Sequence, residues 1–228
     1  MTCVWITRSE PGATRLERAL TEAGFESINA PVLTTEIVKE MAPPEEFDIT
    51  VFVSEHAVKH AIERKWSSVG PVVAVGQTTA EALRSIGLEP VQAAQASSEG
   101  ILELFEQQYP DAGSVLIVAG ADGRTDLAQW LTDKGVRVCT WITYRRILIE
   151  PVVDVGACDV IVASSAEALS RIAELCFRQA NFNAGQLSVL VPSSRVAEVA
   201  ASFGFKNVVN SNGADPRTVV ATLKDRLR

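Results

Sequence analysis

Apolar residues fall along this chain in short β-branched runs, separated by longer stretches with helical spacing. The runs Cys3–Ile6, Ser27–Val32, Ile49–Val53, Val72–Val75, Pro90–Gln92, Val115–Ala119, Val136–Thr140, Val160–Ala163, Val189–Val191 and Asn207–Val209 predict strands. Between them, Ala13–Ala23, Thr79–Ile86, Gly100–Gln107, Asp126–Lys134, Ala166–Phe177 and Arg195–Phe203 predict amphipathic helices. Continuous apolar strands that alternate with helices imply a parallel sheet covered on both faces. Ten strands are too many for one compact sheet in a chain of 228 residues. The pattern therefore predicts an α/β protein of two five-stranded, flavodoxin-like parallel-sheet lobes.

A weak internal repeat points the same way. VFVSEHAVKHA from Val51 echoes VIVASSAEALS from Val160, with Ser54 and Ser165 offset by 111. VAVGQTTAEALRSIGLEPV from Val73 echoes VLVPSSRVAEVAASFGFKNV from Val189, with Thr79 and Ser194 offset by 115. The opening VWITRSEPGATRLERALTEAGFESINA echoes VLIVAGADGRTDLAQWLTDKGVRVCTW, with Gly24 and Gly135 offset by 111.

Two segments stand outside this pattern. Leu33–Glu40 (LTTEIVKE) and Thr143–Glu150 (TYRRILIE) alternate polar and apolar residues, and each follows the second strand of its unit. A two-stranded antiparallel ladder joining two lobes fits both, with Pro43, Pro44 and Pro151 punctuating the turns out of it. On this reading residues 1–35 with 150–228 form a discontinuous lobe, 41–142 form an inserted lobe, and 33–40 with 143–150 form the ladder.

Composition narrows the function classes. A net charge of −7 argues against nucleic acid as a partner, because phosphates call for basic patches. The four-residue apolar run Cys3–Ile6 is too short for a signal-peptide core, and no stretch approaches the ~20 apolar residues of a membrane span. A cytoplasmic protein with no membrane partner is expected, acting as a monomer. Cys3, Cys139, Cys158 and Cys176 form no C-x-x-C pair and read as small buried hydrophobes in a reducing compartment.

In open α/β sheets, ligands bind beyond the carboxyl ends of the strands. The residues expected there are Thr7-Arg8-Ser9, Ser164-Ser165, Pro192-Ser193-Ser194 and Asp215-Pro216 in one lobe. In the other they are Ser54, Gly76-Gln77-Thr78-Thr79, Ser97-Ser98 and Gly120-Ala121-Asp122-Gly123. Each hydroxyl can be a helix N-cap worth ~1 kcal/mol and nothing more. Taken together, several helix N-termini facing a cleft can receive a polyanion, each contributing ~0.3–1 kcal/mol.

No phosphate-loop lysine motif and no complete G-x-G-x-x-G appears, so no nucleotide cofactor is expected. His56 and His60, the only histidines, stand i, i+4 near Glu55 and Glu63; they read as a solvated helix face in preference to half a zinc site. Tyr144 is one of two tyrosines and falls in the expected ladder, away from a core. A phenol can donate a proton to a departing hydroxyl; it can equally be an amphipathic side chain shielding a hinge.

V-W-I-T-R-S-E, V-F-V-S-E-H-A-V, V-A-V-G-Q-T-T-A-E-A-L-R-S-I-G-L-E-P and V-C-T-W-I-T-Y-R-R resemble the uroporphyrinogen-III synthase family, in order and over essentially the whole chain. The resemblance implies two flavodoxin-like lobes, a connecting ladder and an active site in the cleft. It implies hydroxymethylbilane, a linear tetrapyrrole with many carboxylates, as substrate, and no cofactor or metal. The terminal hydroxyl would leave, the last ring attack through a spiro intermediate and invert, and the macrocycle close.

Tyr144 matches the family tyrosine proposed to assist hydroxyl loss. Thr79, with Thr78 beside it, matches a family threonine, and Ser194, beside Ser193, its counterpart in the other lobe. Arg8, Ser54 and Ser165 would meet substrate carboxylates directly or through helix amides. Two departures stand out: the family's G-P-T-T-A reads Val191-Pro192-Ser193-Ser194-Arg195 here, and Glu167 replaces a cleft serine. A non-catalytic two-lobed anion-binding protein of the periplasmic type is the alternative, weakened by the lack of an export signal. A receiver-like protein would need an acidic pair where Thr7-Arg8 stands.

Overall fold

The computed structural model describes residues 2–67, 69–93, 98–121, 123, 126–179 and 182–226. Ser97 and Asp122, named above, lie outside the described residues. In chain order the elements begin β1 (Cys3–Ile6), α1 (Gly12–Glu22), β2 (Glu26–Asn29), β3 (Leu33–Ile37), β4 (Ile49–Phe52) and α2 (Glu55–Glu63). They continue β5 (Val72–Ala74), α3 (Gln77–Arg84), β6 (Val91–Gln92), α4 (Ser98–Gln108), β7 (Ser114–Gly120) and α5 (Asp126–Asp133). The rest are β8 (Arg137–Leu148), β9 (Val160–Val162), α6 (Ala166–Arg178), β10 (Ser188–Val191), α7 (Ser194–Ser202), β11 (Asn207–Asn210) and α8 (Pro216–Arg226). The chain forms two compact units, one of Met1–Thr34 with Ile147–Arg228 and one of Thr35–Arg146.

The first unit holds a five-stranded sheet in the order β11-β10-β9-β1-β2, parallel at every pair. Both faces are apolar, as parallel strands require. On β1, Val4 and Ile6 pack with Leu16 and Leu20 of α1 and Val219 and Leu223 of α8. Trp5 points the other way, against Leu169 and Ile172 of α6 and Val196 of α7. Full burial of each such leucine stabilises by about 1.5–3 kcal/mol.

The second unit holds a six-stranded sheet in the order β3-β8-β7-β4-β5-β6. Its β4–β5, β4–β7, β5–β6 and β7–β8 pairs are parallel. Val51, Val73 and Ile117 face α4 and α5, while Phe52, Ala74 and Val118 face α2 and α3. Asp48 ties β4 to β7, because its carboxylate accepts from the Ser114 hydroxyl and from the Gly113 and Ser114 amides. Those bonds, the Ser114 hydroxyl first, hold its pKa below the usual aspartate value.

Three details differ from the sequence expectation. The run Val136–Thr140 and the segment from Thr143 are one twelve-residue strand, β8. The second sheet has six strands where five were expected, because the segment beginning at Leu33, expected as a ladder strand, supplies β3 beside β8 in it. Of the cysteines, Cys158 and Cys176 are buried but Cys3 and Cys139 only half-buried; all four are free. Burial pushes the Cys158 and Cys176 thiols up to about 12, so both are unreactive as nucleophiles near neutral pH. Among the described residues, no helix is long and apolar enough to cross a membrane.

The repeat acquires a structural meaning. Gly24 and Gly135, 111 apart, adopt φ of 84° and 83° at the same helix-to-strand turn, a left-handed conformation that favours glycine. Gly87 and Gly204 do so at 84° and 93°, but they stand 117 apart (204 − 87). The helix caps Gly76 and Ser193 are also 117 apart (193 − 76). The 115 offset therefore misaligns this segment by two residues: Thr79 corresponds to Val196, and Ser194 to Gln77. Moreover, β1–β2 echo β7–β8 and β4 echoes β9, yet each sheet, with the unrepeated β3 set aside, takes two strands from one repeat and three from the other.

Candidate active site

Most of the expected residues lie at the carboxyl ends of the strands, together at one end of each sheet. In the first unit, β1 runs into Thr7, whose buried hydroxyl donates to Val162 O, and Arg8, whose Nη1 donates to Ala214 O at 2.8 Å. Arg8 thereby stands at the start of α8, where Asp215 Oδ1 accepts from the Thr218 amide. Ser165 caps α6 and Ser193 caps α7, each accepting from the amide three residues on. Ser194 is exposed at the first position of α7, and its Oγ accepts from Asn210 Nδ2 at 3.3 Å. Glu167 is exposed in the first turn of α6.

In the second unit, Ser54 caps α2, its Oγ accepting from the Ala57 amide at 3.1 Å. Gly76 opens α3, leaving Thr78 exposed and Thr79 buried at 3% exposure. Only Thr78 of that pair is open to solvent. Three of the expected serines are thus true N-caps, and each also marks a set of helix amides aimed beyond the sheet.

The structure places Tyr144 differently from expectation. It is 4% exposed and packs with the apolar cluster under α2 and α3. A β-bulge explains this. Along β8, Cys139 and Trp141 face that cluster while Val138 and Ile142 face the opposite side. Strict alternation would send Tyr144 with Ile142. Instead Ala119 pairs with Ile142 and Gly120 with Tyr144, so Thr143 is the extra residue and the side chain after it is re-aimed.

Re-aimed in this way, Tyr144 crosses a strand. β7 lies between β8 and β4, and neighbouring strands sit ~4.8 Å apart, so Ser54 is about two strand spacings away. The phenol spans that gap over Gly120, and its Oη stands 3.0 Å from Ser54 Oγ. A Cβ at Gly120 would lie 2.6 Å from Tyr144 Cζ, closer than real side chains approach. Glycine is required there for the ring to pass.

The two histidines complete the arrangement and correct the solvated-face expectation. His60 is 5% exposed and its ring stacks on Tyr144 at 5.7 Å. Its Nδ1 contacts the Glu63 carboxylate at 3.0 Å and its Nε2 the Thr35 hydroxyl at 3.1 Å. A carboxylate only accepts, so the Nδ1 that meets it carries a proton. His56 is half-buried, tilted against Tyr144 at 5.5 Å, and burial holds its pKa below the ordinary imidazole value, so it stays neutral at neutral pH. Among the described residues, no group of three or more His, Cys, Asp or Glu is placed to hold a metal ion.

Chemically, this arrangement offers a fixed phenol, a neighbouring hydroxyl on a helix cap, and amide-rich helix starts suited to carboxylates. The bracket of Ser54, His56, His60 and Gly120 around Tyr144 lies beyond what sequence reasoning reaches. Its sequence trace is slight: SEHAVKH places a serine and two histidines on one helix start, but the bulge that brings Tyr144 over has no sequence mark.

Residues 14–221 match the family model described as uroporphyrinogen-III synthase HemD. The chain is 26% identical over 246 aligned positions to uroporphyrinogen-III synthase of Escherichia coli (strain K12), covering 97% of this chain and 99% of that one. It is 26% identical over 162 positions to the enzyme of the same name from Proteus mirabilis, covering 64% and 81%. Its fold is similar to that of uroporphyrinogen-III synthetase from Helicobacter pylori 26695, with a TM-score of 0.66, 14% identity, and 100% and 99% of the two chains covered. A mutant uroporphyrinogen III synthase from the extremely thermophilic bacterium Thermus thermophilus gives a TM-score of 0.55 at 17% identity, covering 99% and 100%.

Proposed function

The chain belongs to the uroporphyrinogen-III synthase family, and we propose that Tyr144 is the group that helps its substrate lose the terminal hydroxyl. Members of this family are enzymes, lyase-type cyclases of heme and porphyrin biosynthesis. They convert hydroxymethylbilane to uroporphyrinogen III with inversion of the last pyrrole ring and loss of water. The observation that carries the Tyr144 reading is the phenol held over Gly120 beside Ser54, at the carboxyl end of its sheet.

The chemistry fits a neutral proton donor. Departure of hydroxide from the terminal carbon is costly, and a phenol placed at that oxygen lets it leave as water. The last ring then attacks through the spiro intermediate, and closure follows with inversion. Uncatalysed closure proceeds without inversion, so the enzyme's main contribution is to hold the chain in one folded geometry, which can supply several kcal/mol.

Carboxylates along the substrate are met by the helix starts behind Ser54, Ser165 and Ser193, by Arg8, and by the exposed Thr78 and Ser194. Thr79 is buried in the first turn of α3, next to the exposed Thr78. Glu167 carries no substrate contact. The first sheet follows the flavodoxin-like order 2-1-3-4-5; the second follows it when counted from β7, which supports two flavodoxin-like lobes. β3 and β8 serve as the antiparallel pair through which the chain passes from one unit to the other. Val32 O accepts from Ile149 and Val38 donates to Thr143, so the partner runs backward as the strand runs forward. The protein works in the cytoplasm as a monomer, without cofactor.

Freshly made hydroxymethylbilane tests the assignment. After oxidation of the products, type III porphyrin should predominate with the protein present. Accumulation of type I alone would reject it.

A further inference from the structure

We propose that Ser54 is a positioning residue for the reaction: its hydroxyl donates to Tyr144 Oη and so turns the tyrosine's own proton outward, toward the departing hydroxyl. The inference rests on the role given to Tyr144 and adds to it the direction of the hydrogen bond.

A serine hydroxyl has one proton and two acceptor lone pairs. One lone pair of Ser54 Oγ is taken by the Ala57 amide at 3.1 Å. The oxygen therefore lies at the positive end of α2, among amide hydrogens, and its own proton is repelled from them. The neighbour on the other side is Tyr144 Oη at 3.0 Å. With Ser54 as donor, the phenol oxygen accepts and keeps its proton for another group.

That proton needs an acceptor. Between the two hydroxyls there are two protons and one contact, and Ser54 is the hydrogen-bond partner of Tyr144 Oη. Tyr144 is 4% exposed, and a buried hydroxyl proton without a partner is costly. The ring cannot swing away to find one. His60 stacks on it, His56 leans on it, and Gly120 lies beneath. A substrate oxygen arriving at the strand ends satisfies the donor. Helix α2 also favours any negative charge that grows on Tyr144 Oη, relayed through the same serine.

The test compares three substitutions at Ser54 in two backgrounds, with type III porphyrin formation as readout. Ser54→Ala removes the donor and should lower kcat about ten-fold with KM unchanged. Ser54→Thr keeps a hydroxyl and should restore the rate to within about two-fold. Ser54→Asp keeps the helix cap but can only accept, which draws the Tyr144 proton inward; kcat should fall at least as far as with alanine, while the melting temperature holds above that of the alanine variant. In the Tyr144→Phe background, Ser54→Ala should add less than about two-fold. An equal loss in both backgrounds would show that Ser54 does not act through Tyr144, and full activity of Ser54→Asp would show that the direction of the bond does not matter. Either overturns the inference while leaving Tyr144 in its role, whereas undiminished turnover of Tyr144→Phe alone removes both.

Discussion

Tyr144→Phe is expected to slow type III porphyrin formation by about 10²–10³-fold while the protein stays folded. The magnitude follows from losing a positioned general acid, which typically contributes 10²–10⁴-fold. Folding should survive because the ring, not the hydroxyl, makes the contacts with His56, His60 and the apolar cluster. The stability change is limited to one lost hydrogen bond with Ser54, about 1 kcal/mol net. The loss should appear in kcat, with KM nearly unchanged, if the phenol acts on the leaving hydroxyl alone and not on the carboxylates, as proposed. Stopped assays with fresh hydroxymethylbilane, resolving isomers, measure both parameters. Undiminished kcat would remove Tyr144 from the mechanism.

Gly120→Ala should be almost as damaging, through geometry alone. The added methyl would fall 2.6 Å from Tyr144 Cζ and 2.8 Å from Cε2. The phenol has no room to yield, because α2 holds its upper face and the bulge at Thr143 fixes its origin. Two outcomes share the strain. Overpacking costs about 1–3 kcal/mol, read as a lower melting temperature. The ring also leaves Ser54, so kcat should fall to within about ten-fold of the Tyr144→Phe level. A near-normal melting temperature together with near-normal kcat would show that the ring does not need to cross this point.

The parallel sheets are legible in the sequence because their strands are buried on both faces. VWI is wholly apolar and ITVF and SVLIVA carry one small hydroxyl each, Thr50 and Ser114, and the strands expected there agree with the structure to within a residue or two. Helix starts are less sharp, since a cap such as Ser193 looks like any other hydroxyl beside its neighbour Ser194. This is why the repeat aligns two residues short at Thr79 when it is read from residues alone. β8 breaks in two on the same reading because Thr140 and Thr143 interrupt its apolar run, yet Thr143 is fully buried with its hydroxyl on Ala119 O.

The active site is legible by residue type and not by arrangement. Ser54 and Tyr144 can each be singled out, but 90 positions separate them. Their meeting depends on strand order, with β7 between β8 and β4, and on a glycine at the crossing. Period-two counting sends Tyr144 to the wrong face, and one inserted residue reverses it. The histidines mislead for a related reason: an i, i+4 polar pair normally faces solvent, and nothing local says that a tyrosine from β8 covers it.

The proposed reaction needs a polycarboxylate chain lying across the carboxyl ends of the strands, gripped by helix amides, with its leaving hydroxyl at Tyr144. A crystal structure with uroporphyrinogen III bound tests this most directly. Carboxylates should then lie within about 2.7–3.2 Å of the amides opening α2, α6 or α7, with the macrocycle beside Tyr144 Oη. A ligand seated at the opposite ends of the strands, against Ser188 and Asn207 where β10 and β11 begin, would contradict it.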